Sequence, residues 1–523
     1  VIAAGGAFAN MKDQTRHPGY VTASAALIVL GLLLPISVVW SVRYPAQWDA
    51  YNHLARHYLE LLHFAGQPLP SGMEIEYRLV PNLGGDLAIP PLMWLFGALP
   101  ALKVFLTLSI VLNWLGPAIF ILQAGRRSMA SWIATLLFLP LIVGSTFFWG
   151  YLNYYSGVGL AFLVAAHLRY LDRQAKLTVM ALVVHAALIV LLYVWHLAAI
   201  LIYGVVLVAT IMTKLLETWR TKEDFVRPVL HCALLGSPVL PAVGLYLLYV
   251  ATYHHDTAVL SWPPLLRKVL MPLSIFHEYD VRADILFVLL WFGAAFLLFG
   301  RSLRLGHPRL DGPSLFAALA TILFAVSYAA LPAEVGGTSG ADARMLPALI
   351  VCALAWLGTM PSRWSRLGVA LLAAALVVRA ADMFLAWDRL GARLQSEARS
   401  FDYIKPNSSV LPLILLSEFS KEHPEMHFAS MAVIERHAYV PTLFAEADQQ
   451  PLRLTGETRL VSREPLLQQM PLSADKQFTL SDPAAAAYDY LWIYNPEGAA
   501  LNLPREWERV FIEGSVTLWH RNG

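Results

Sequence analysis

Apolar runs of about 16–24 residues recur along the first three quarters of the chain, each near the length a helix needs to cross roughly 30 Å of hydrocarbon. They predict spans at 21–41, 102–122, 130–147, 156–171, 177–195, 197–214, 229–252, 283–300, 312–331, 345–360 and 367–387. The stretch around 88–99 is shorter and carries Pro90 and Pro91, so it reads as an interfacial or re-entrant helix, or as the start of the second span. Beyond residue 387 the pattern changes. SSVLPLILL, YDYLWIYN and RVFIEGSVTLWHR are β-branched and aromatic, and Glu513-Gly514 suits a hairpin turn. SEFSKEHPEMHFASMAVIERH, which carries His423, His427 and His437, reads as partly helical. The expected fold is an all-α polytopic membrane domain of about 11–13 helices, followed by a small soluble α/β domain.

Composition agrees. Of the 523 residues, 57% are hydrophobic and 14% charged, against about 25% charged in an ordinary soluble domain. A net charge of +2 gives no field for an anionic polymer, which excludes a nucleic-acid binder. The two cysteines, Cys232 and Cys352, lie in apolar runs and offer neither a disulfide framework nor a cysteine metal site. Charge is also uneven: residues 388–523 hold 31 charges in 136 positions, and the first 387 residues hold 43. The expected domains are a cytoplasmic N-terminus at 1–20, a membrane domain at 21–387 with a first outer loop at 42–101, and an outer domain at 388–523.

With the N-terminus inside, the predicted cytoplasmic loops carry 14 basic and five acidic residues, and the opposite loops seven basic and ten acidic. That asymmetry sets the orientation, and an odd number of spans places the C-terminal domain outside. Trp40, Trp48, Trp149, Trp195 and Trp262 fall at predicted outer ends, as an interfacial belt would. Ionisable groups within the spans are sparse: His185 and the pair Arg379/Asp382, read as a structural ion pair at i,i+3. A proton- or ion-coupled carrier needs more charge near the midplane than this.

Polar chemistry gathers on the outer side. The first outer loop opens RYPAQWDAYNHLARHYLELLHFAGQPLP, and spacings of i, i+4 and i+7 put Asp49, His53 and Arg56 on one helical face. A carboxylate beside an imidazole and a guanidinium can bind a hydroxyl and remove its proton, and Arg56 could equally hold a phosphate. The same spacing also suits a juxtamembrane helix with a merely solvated polar face. In 253–283, His254, His255 and Asp256, or His277, Glu278 and Asp280, are metal-ligating types, although their spacings match no zinc signature, and a wet loop over a cavity reads equally from them. His196, beside Trp195, could line a cavity or pack at the interface.

This layout resembles the GT-C glycosyltransferases. The resemblance rests on the long first span, Asp-Ala-Tyr-Asn-His-Leu-Ala-Arg in the first outer loop, a glycine, and then PNLGGDLAIPPL. It is closest to bacterial members that read D-x-x-x-H-x-x-R there. GYLNYYSGVGLAFL and GTSGADARMLPAL have a similar flavour in the same order. The resemblance implies an inverting transferase that takes a sugar from a polyprenyl-phosphate-linked donor to a lipid or glycan acceptor, in a bacterial inner membrane and on its periplasmic side. It implies Asp49 as general base. His53, Arg56, Asp86, Tyr151, Asn153, His196, Asp342 and Arg344 become the candidate substrate-binding residues, with Arg344, Arg56 or Arg78 on the lipid phosphate. No metal site is assigned, and the candidate cofactor is a divalent cation, Mg or Mn. The C-terminal domain lacks the tryptophan-rich acceptor motif of oligosaccharyltransferases; it would serve acceptor recognition, active-site capping or docking of a protein partner. Expected partners are thus the donor, the acceptor and membrane lipids, with no nucleic acid. The competing readings are a lipid or polysaccharide transporter and a non-catalytic GT-C-like scaffold subunit.

Overall fold

In the computed structural model the chain is described over residues 18–125, 127–174, 176–222, 224–252, 260–305, 311–335, 338–416, 422–445, 449–455, 477–480 and 483–522. All eleven predicted spans are helical. Among the described residues, eight segments are long and apolar enough to cross a membrane: Val21–Ser41, Ala98–Ala124, Met129–Phe148, Leu197–Thr221, Val226–Thr252, Val281–Gly300, Gly312–Ala330 and Arg366–Tyr403. Val179–Trp195 and Ala343–Leu357 are shorter apolar helices, and Leu152–Asp172 is a 21-residue helix. The chain is a multi-pass membrane protein. The doubtful stretch near 88–99 is a separate helix, Gly84–Phe96, ended by Gly97 at φ +81°, with Ala98–Ala124 following. Its tip exposes Trp94, Leu95 and Phe96.

The chain divides into two compact units. The first comprises Val1–Ser37, Leu108–Thr146 and Asn153–Met383. Helix packing in it relies on backbone approach. A Cβ added at Gly116 would lie 2.0 Å from the Gly159 carbonyl oxygen, and one at Gly159 would lie 2.5 Å from that of Leu112. Two glycines thus let helices Ala98–Ala124 and Leu152–Asp172 touch main chain to main chain, as membrane helices do in the absence of a hydrophobic drive between them. The buried histidine within the spans is met by neighbouring helices. His185 contacts His167 Nδ1 at 3.0 Å and the Tyr203 hydroxyl at 2.9 Å.

Arg379 and Asp382 are not each other's partners, contrary to the i,i+3 reading. Arg379 pairs with Glu278 at 3.3 Å and Asp284 at 3.3 Å, and donates to the carbonyls of Phe276 and Val143. Asp382 accepts instead from the backbone N–H groups of Tyr279 and Asp280. The acids on the 276–284 segment offer a buried guanidinium better-placed charge than a neighbour on its own helix.

The second unit comprises Val38–Thr107, Phe147–Leu152 and Phe384–Gly523. Its main sheet has four strands in the order Trp507–Glu513, Val516–Arg521, Tyr490–Tyr494, Val410–Ile414. The first two pairings are antiparallel and the last parallel. The predicted hairpin turns at Gly514, φ +55°, where glycine carries no Cβ penalty. Val410–Ile414 is buried along its whole length and tolerates Pro412 because it is an edge strand, where a missing N–H breaks no ladder.

The helix Ala50–Phe64 sits in this unit among C-terminal elements. Tyr51 meets Phe428 edge-on at 5.0 Å, and Tyr44 meets the same ring at 5.3 Å. The Tyr58 hydroxyl lies 2.9 Å from His437 Nε2. Met73–Ile75 pairs antiparallel with Leu452–Leu454. Elements between residues 44 and 75 are therefore folded together with residues more than 370 positions later.

Candidate active site

Asp49 is the N-cap of Ala50–Phe64, with φ −87° and ψ −9°, and its side chain makes no capping hydrogen bond. An aspartate at this position normally folds back onto the N–H of the second or third helical residue. Here the carboxylate instead faces His427, with Oδ1 3.4 Å from Nε2, while the positive end of the helix dipole lies behind it.

The backbone around Asp49 is clamped by a short segment. Gln47 Nε2 donates to the Phe147 carbonyl at 2.6 Å, Trp48 N to that of Phe148 at 3.2 Å, and Asp49 N to that of Trp149 at 3.0 Å. Gly150 follows at φ +75°, and a Cβ there would come within 2.9 Å of both Asp49 N and Ala50 N. Glycine is required twice over, by backbone conformation and by space. Tyr151, next in the chain, is half-buried and packs its ring 5.5 Å from Trp149.

His427 belongs to a tightly held group. Asn52, on the first turn of the Asp49 helix, donates through Nδ2 to the Thr442 carbonyl at 2.7 Å and lies 3.2 Å from His427 Nδ1. Its Oδ1 accepts from Phe444 N at 2.7 Å. His53 and His427 both pack on the Phe444 ring, at 5.1 and 5.2 Å. Burial pushes the His427 imidazole down to about 4, so it is neutral at ordinary pH.

The other half of the sequence constellation goes elsewhere. Arg56 is 1% exposed, with Nη2 3.0 Å from Asp86 Oδ1 and Nε 3.5 Å from Glu60 Oε1. His57 completes the cluster, Nδ1 lying 3.4 Å from Glu60 Oε2. Burial raises the Asp86 carboxyl to about 7, against the opposing pull of Arg56, and raises Glu60 as well. Burial also lowers His57 to about 3, with Arg56 adding to the effect. Arg56 and Asp86, both proposed from sequence as substrate contacts, are thus given to each other inside the unit.

Among the described residues His57, Glu60 and Asp86 are the one group able to offer a cation three ligands, with ligating atoms within 4.8 Å of one another. Arg56 already supplies the positive charge there, so the donor set does not fit a metal well. The other metal candidates divide: His254, His255 and Asp256 lie outside the described residues, as does most of the predicted N-terminal tail. His277 and Glu278 are engaged with Asp284 and Arg379. Arg78 forks onto Glu76 through Nε and Nη2, at 2.9 and 2.7 Å.

The remaining candidates are in the first unit. Arg344 lies in the 3-10 turn Ala343–Met345, its carbonyl accepts from the Tyr154 hydroxyl at 2.6 Å, and its guanidinium is 5.8 Å from the Tyr154 ring. His196 packs edge-on to the same ring at 5.6 Å and uses Nδ1 to cap helix Leu197–Thr221 through Ala198 N. Asn153 is buried one residue before Tyr154. Asp342 is buried, caps Ala343 N, and lies 3.5 Å from Lys268 Nζ.

His427, Asn52 and Gly150 carry the geometry around Asp49, and none was assigned a role from sequence. His427 was visible only as one of three histidines in a partly helical stretch. Gly150 had a signal, since it opens GYLNYY directly after the aromatic run TFFW.

No protein-family model matches the chain, and no curated protein does. Two solved structures resemble it. The crystal structure of ArnT from Cupriavidus metallidurans in the apo state is 13% identical, covers 95% of this chain and 98% of its own, and gives a TM-score of 0.48. The crystal structure of the same protein bound to undecaprenyl phosphate is 12% identical, with 96% and 98% covered and a TM-score of 0.47.

Proposed function

We propose that this chain is a GT-C-type membrane glycosyltransferase that moves a sugar from a polyprenyl-phosphate-linked donor to the hydroxyl of a lipid or glycan acceptor. It works on the periplasmic side of a bacterial inner membrane, with the N-terminus cytoplasmic. Asp49 is the general base. The acceptor oxygen forms the new bond to the anomeric carbon as the bond from that carbon to the phosphate oxygen breaks, with inversion. The acceptor proton goes to an Asp49 carboxylate oxygen, and the electron pair leaves with the polyprenyl phosphate. Because the phosphate is a good leaving group, the protein's task is mainly orientation and charge stabilisation.

The observation that carries this reading is Asp49 itself. Its own N–H and that of Trp48 are held by the Trp149 and Phe148 carbonyls, the Gln47 side chain is held by Phe147, and its carboxylate faces His427 Nε2 at 3.4 Å. Charge in the spans is committed to structural contacts at Arg379, Asp382 and His185, which counts against a coupled carrier. Arg344 is the cation to test for the phosphate, since Arg56 is enclosed.

The test incubates purified protein with a radiolabelled polyprenyl-phosphate sugar and cell-envelope acceptors. Asp49→Asn should abolish transfer while membrane insertion and thermal stability stay as in the wild type. An active Asp49→Asn protein sinks the proposal. A wild-type protein inactive across a panel of donors would favour the scaffold reading. Adding Mg2+ or Mn2+ after chelation tests whether a divalent cation assists.

A further inference from the structure

We propose that His427 is a positioning residue for Asp49, held by Asn52 in the tautomer that carries its proton on Nε2; this rests on the reading of Asp49 as the base. The argument starts at Phe444. Its backbone N–H can only donate, so the Asn52 atom 2.7 Å away is the amide oxygen. The Asn52 nitrogen then has two hydrogens for two acceptors, the Thr442 carbonyl at 2.7 Å and His427 Nδ1 at 3.2 Å. Nδ1 must therefore present its lone pair. A neutral imidazole whose Nδ1 accepts carries its hydrogen on Nε2, and Nε2 is the atom 3.4 Å from Asp49 Oδ1.

A neutral N–H donor beside one carboxylate oxygen has a defined effect. At 3.4 Å it stands at ion-pair distance from Oδ1, and by closing on that oxygen in the acceptor complex it would fix the plane of the carboxylate that takes the acceptor's proton. A charged imidazolium would do this less well, because it would stabilise the carboxylate so strongly as to weaken it as a base. Burial keeps His427 out of that state. Asn52 is fully buried, with its amide tied at three points, so the orientation is set by the fold. His427 does not touch the reacting atoms in this scheme. It acts through Asp49.

The test compares His427→Phe, which keeps a ring without a donor, with His427→Gln, whose amide N–H reaches close to the Nε2 position. Both are assayed for transfer across pH with donor and acceptor varied. His427→Phe should lower kcat by about 10- to 100-fold, the scale on which misorientation acts, with the donor KM unchanged. The acid limb of its rate–pH profile should move to higher pH, since a carboxylate that loses a hydrogen-bond donor holds its proton more tightly. His427→Gln should restore most of kcat and return the limb. In an Asp49→Asn background, His427→Phe should change nothing further.

A His427→Phe protein with wild-type kcat and an unmoved limb overturns the proposal and leaves Asp49 as the base. If His427→Phe fails to fold, His427→Gln decides alone. A folded Gln variant with the wild-type limb and kcat within a few fold supports the donor role, and one as inactive as Asp49→Asn overturns it. An active Asp49→Asn protein refutes the underlying reading, whatever His427 does.

Discussion

Replacing Arg56 by leucine separates an enclosed arginine from a phosphate-gripping one. The guanidinium is 1% exposed and lies against two buried carboxyls, at 3.0 Å from Asp86 and 3.5 Å from Glu60. Removing one partner of a buried ionic cluster leaves uncompensated charge and costs about 3–5 kcal/mol. For a unit of about 216 residues, at about 2–4 °C per kcal/mol, that lowers the unfolding midpoint by about 6–20 °C.

The pH dependence has a sign. In the wild type, burial holds the folded Asp86 carboxyl at about 7, above its unfolded value. Its contribution is therefore fully present below the unfolded value and is lost as pH rises through 7. Arg56 opposes that shift, so its loss raises the folded value further and enlarges the cost on the alkaline side. His57 acts in the same sense, because Arg56 helps to keep it neutral. Without Arg56 it can become the cation of the cluster as pH falls.

Arg56→Leu should accordingly lose more stability at pH 8 than at pH 5.5, read by tryptophan fluorescence on heating the detergent-solubilised protein. Arg56→Leu with Asp86→Leu should recover part of the loss. Below the midpoint, the single variant should keep the wild-type donor KM. An unchanged midpoint, or a greater loss at pH 5.5, refutes the enclosed cluster. A raised donor KM with an unchanged midpoint would return Arg56 to the substrate.

Other substitutions probe separate parts of the same account. Gly150→Ala places a Cβ 2.9 Å from Asp49 N at a positive φ, and should cost about 1–3 kcal/mol of stability and at least tenfold in transfer rate, measured on the folded fraction. Arg344→Gln should raise the donor KM more than the acceptor KM in steady-state assays, as a lost phosphate contact would. Gly116→Leu would drive a side chain into the Gly159 carbonyl and should abolish monodisperse expression, followed by fluorescence-detected gel filtration. Arg379→Leu leaves Glu278 and Asp284 without their cation and should cost about 3–5 kcal/mol with no change in donor KM for the surviving protein.

Much of the fold was legible because membrane helices announce themselves locally. An apolar run of sufficient length must satisfy its own backbone, and in hydrocarbon only a helix does so within one segment. The strands of the main sheet were legible for a related reason, their β-branched and aromatic runs being bounded by turn residues. Asp49 could be singled out as a candidate because its motif is short and contiguous.

What the sequence could not decide were partnerships. Asp49, His53 and Arg56 share one helical spacing, yet the tertiary structure gives Asp49 a histidine from beyond residue 420 and gives Arg56 a carboxylate from the next helix. Arg379 and Asp382 sit at ion-pair spacing, and each binds the 276–284 segment instead. Helical periodicity fixes which direction a side chain leaves its own backbone. Where charge ends up depends on burial, because a desolvated ion must find its best-placed partner wherever the chain brings one, and only the tertiary structure specifies that distance.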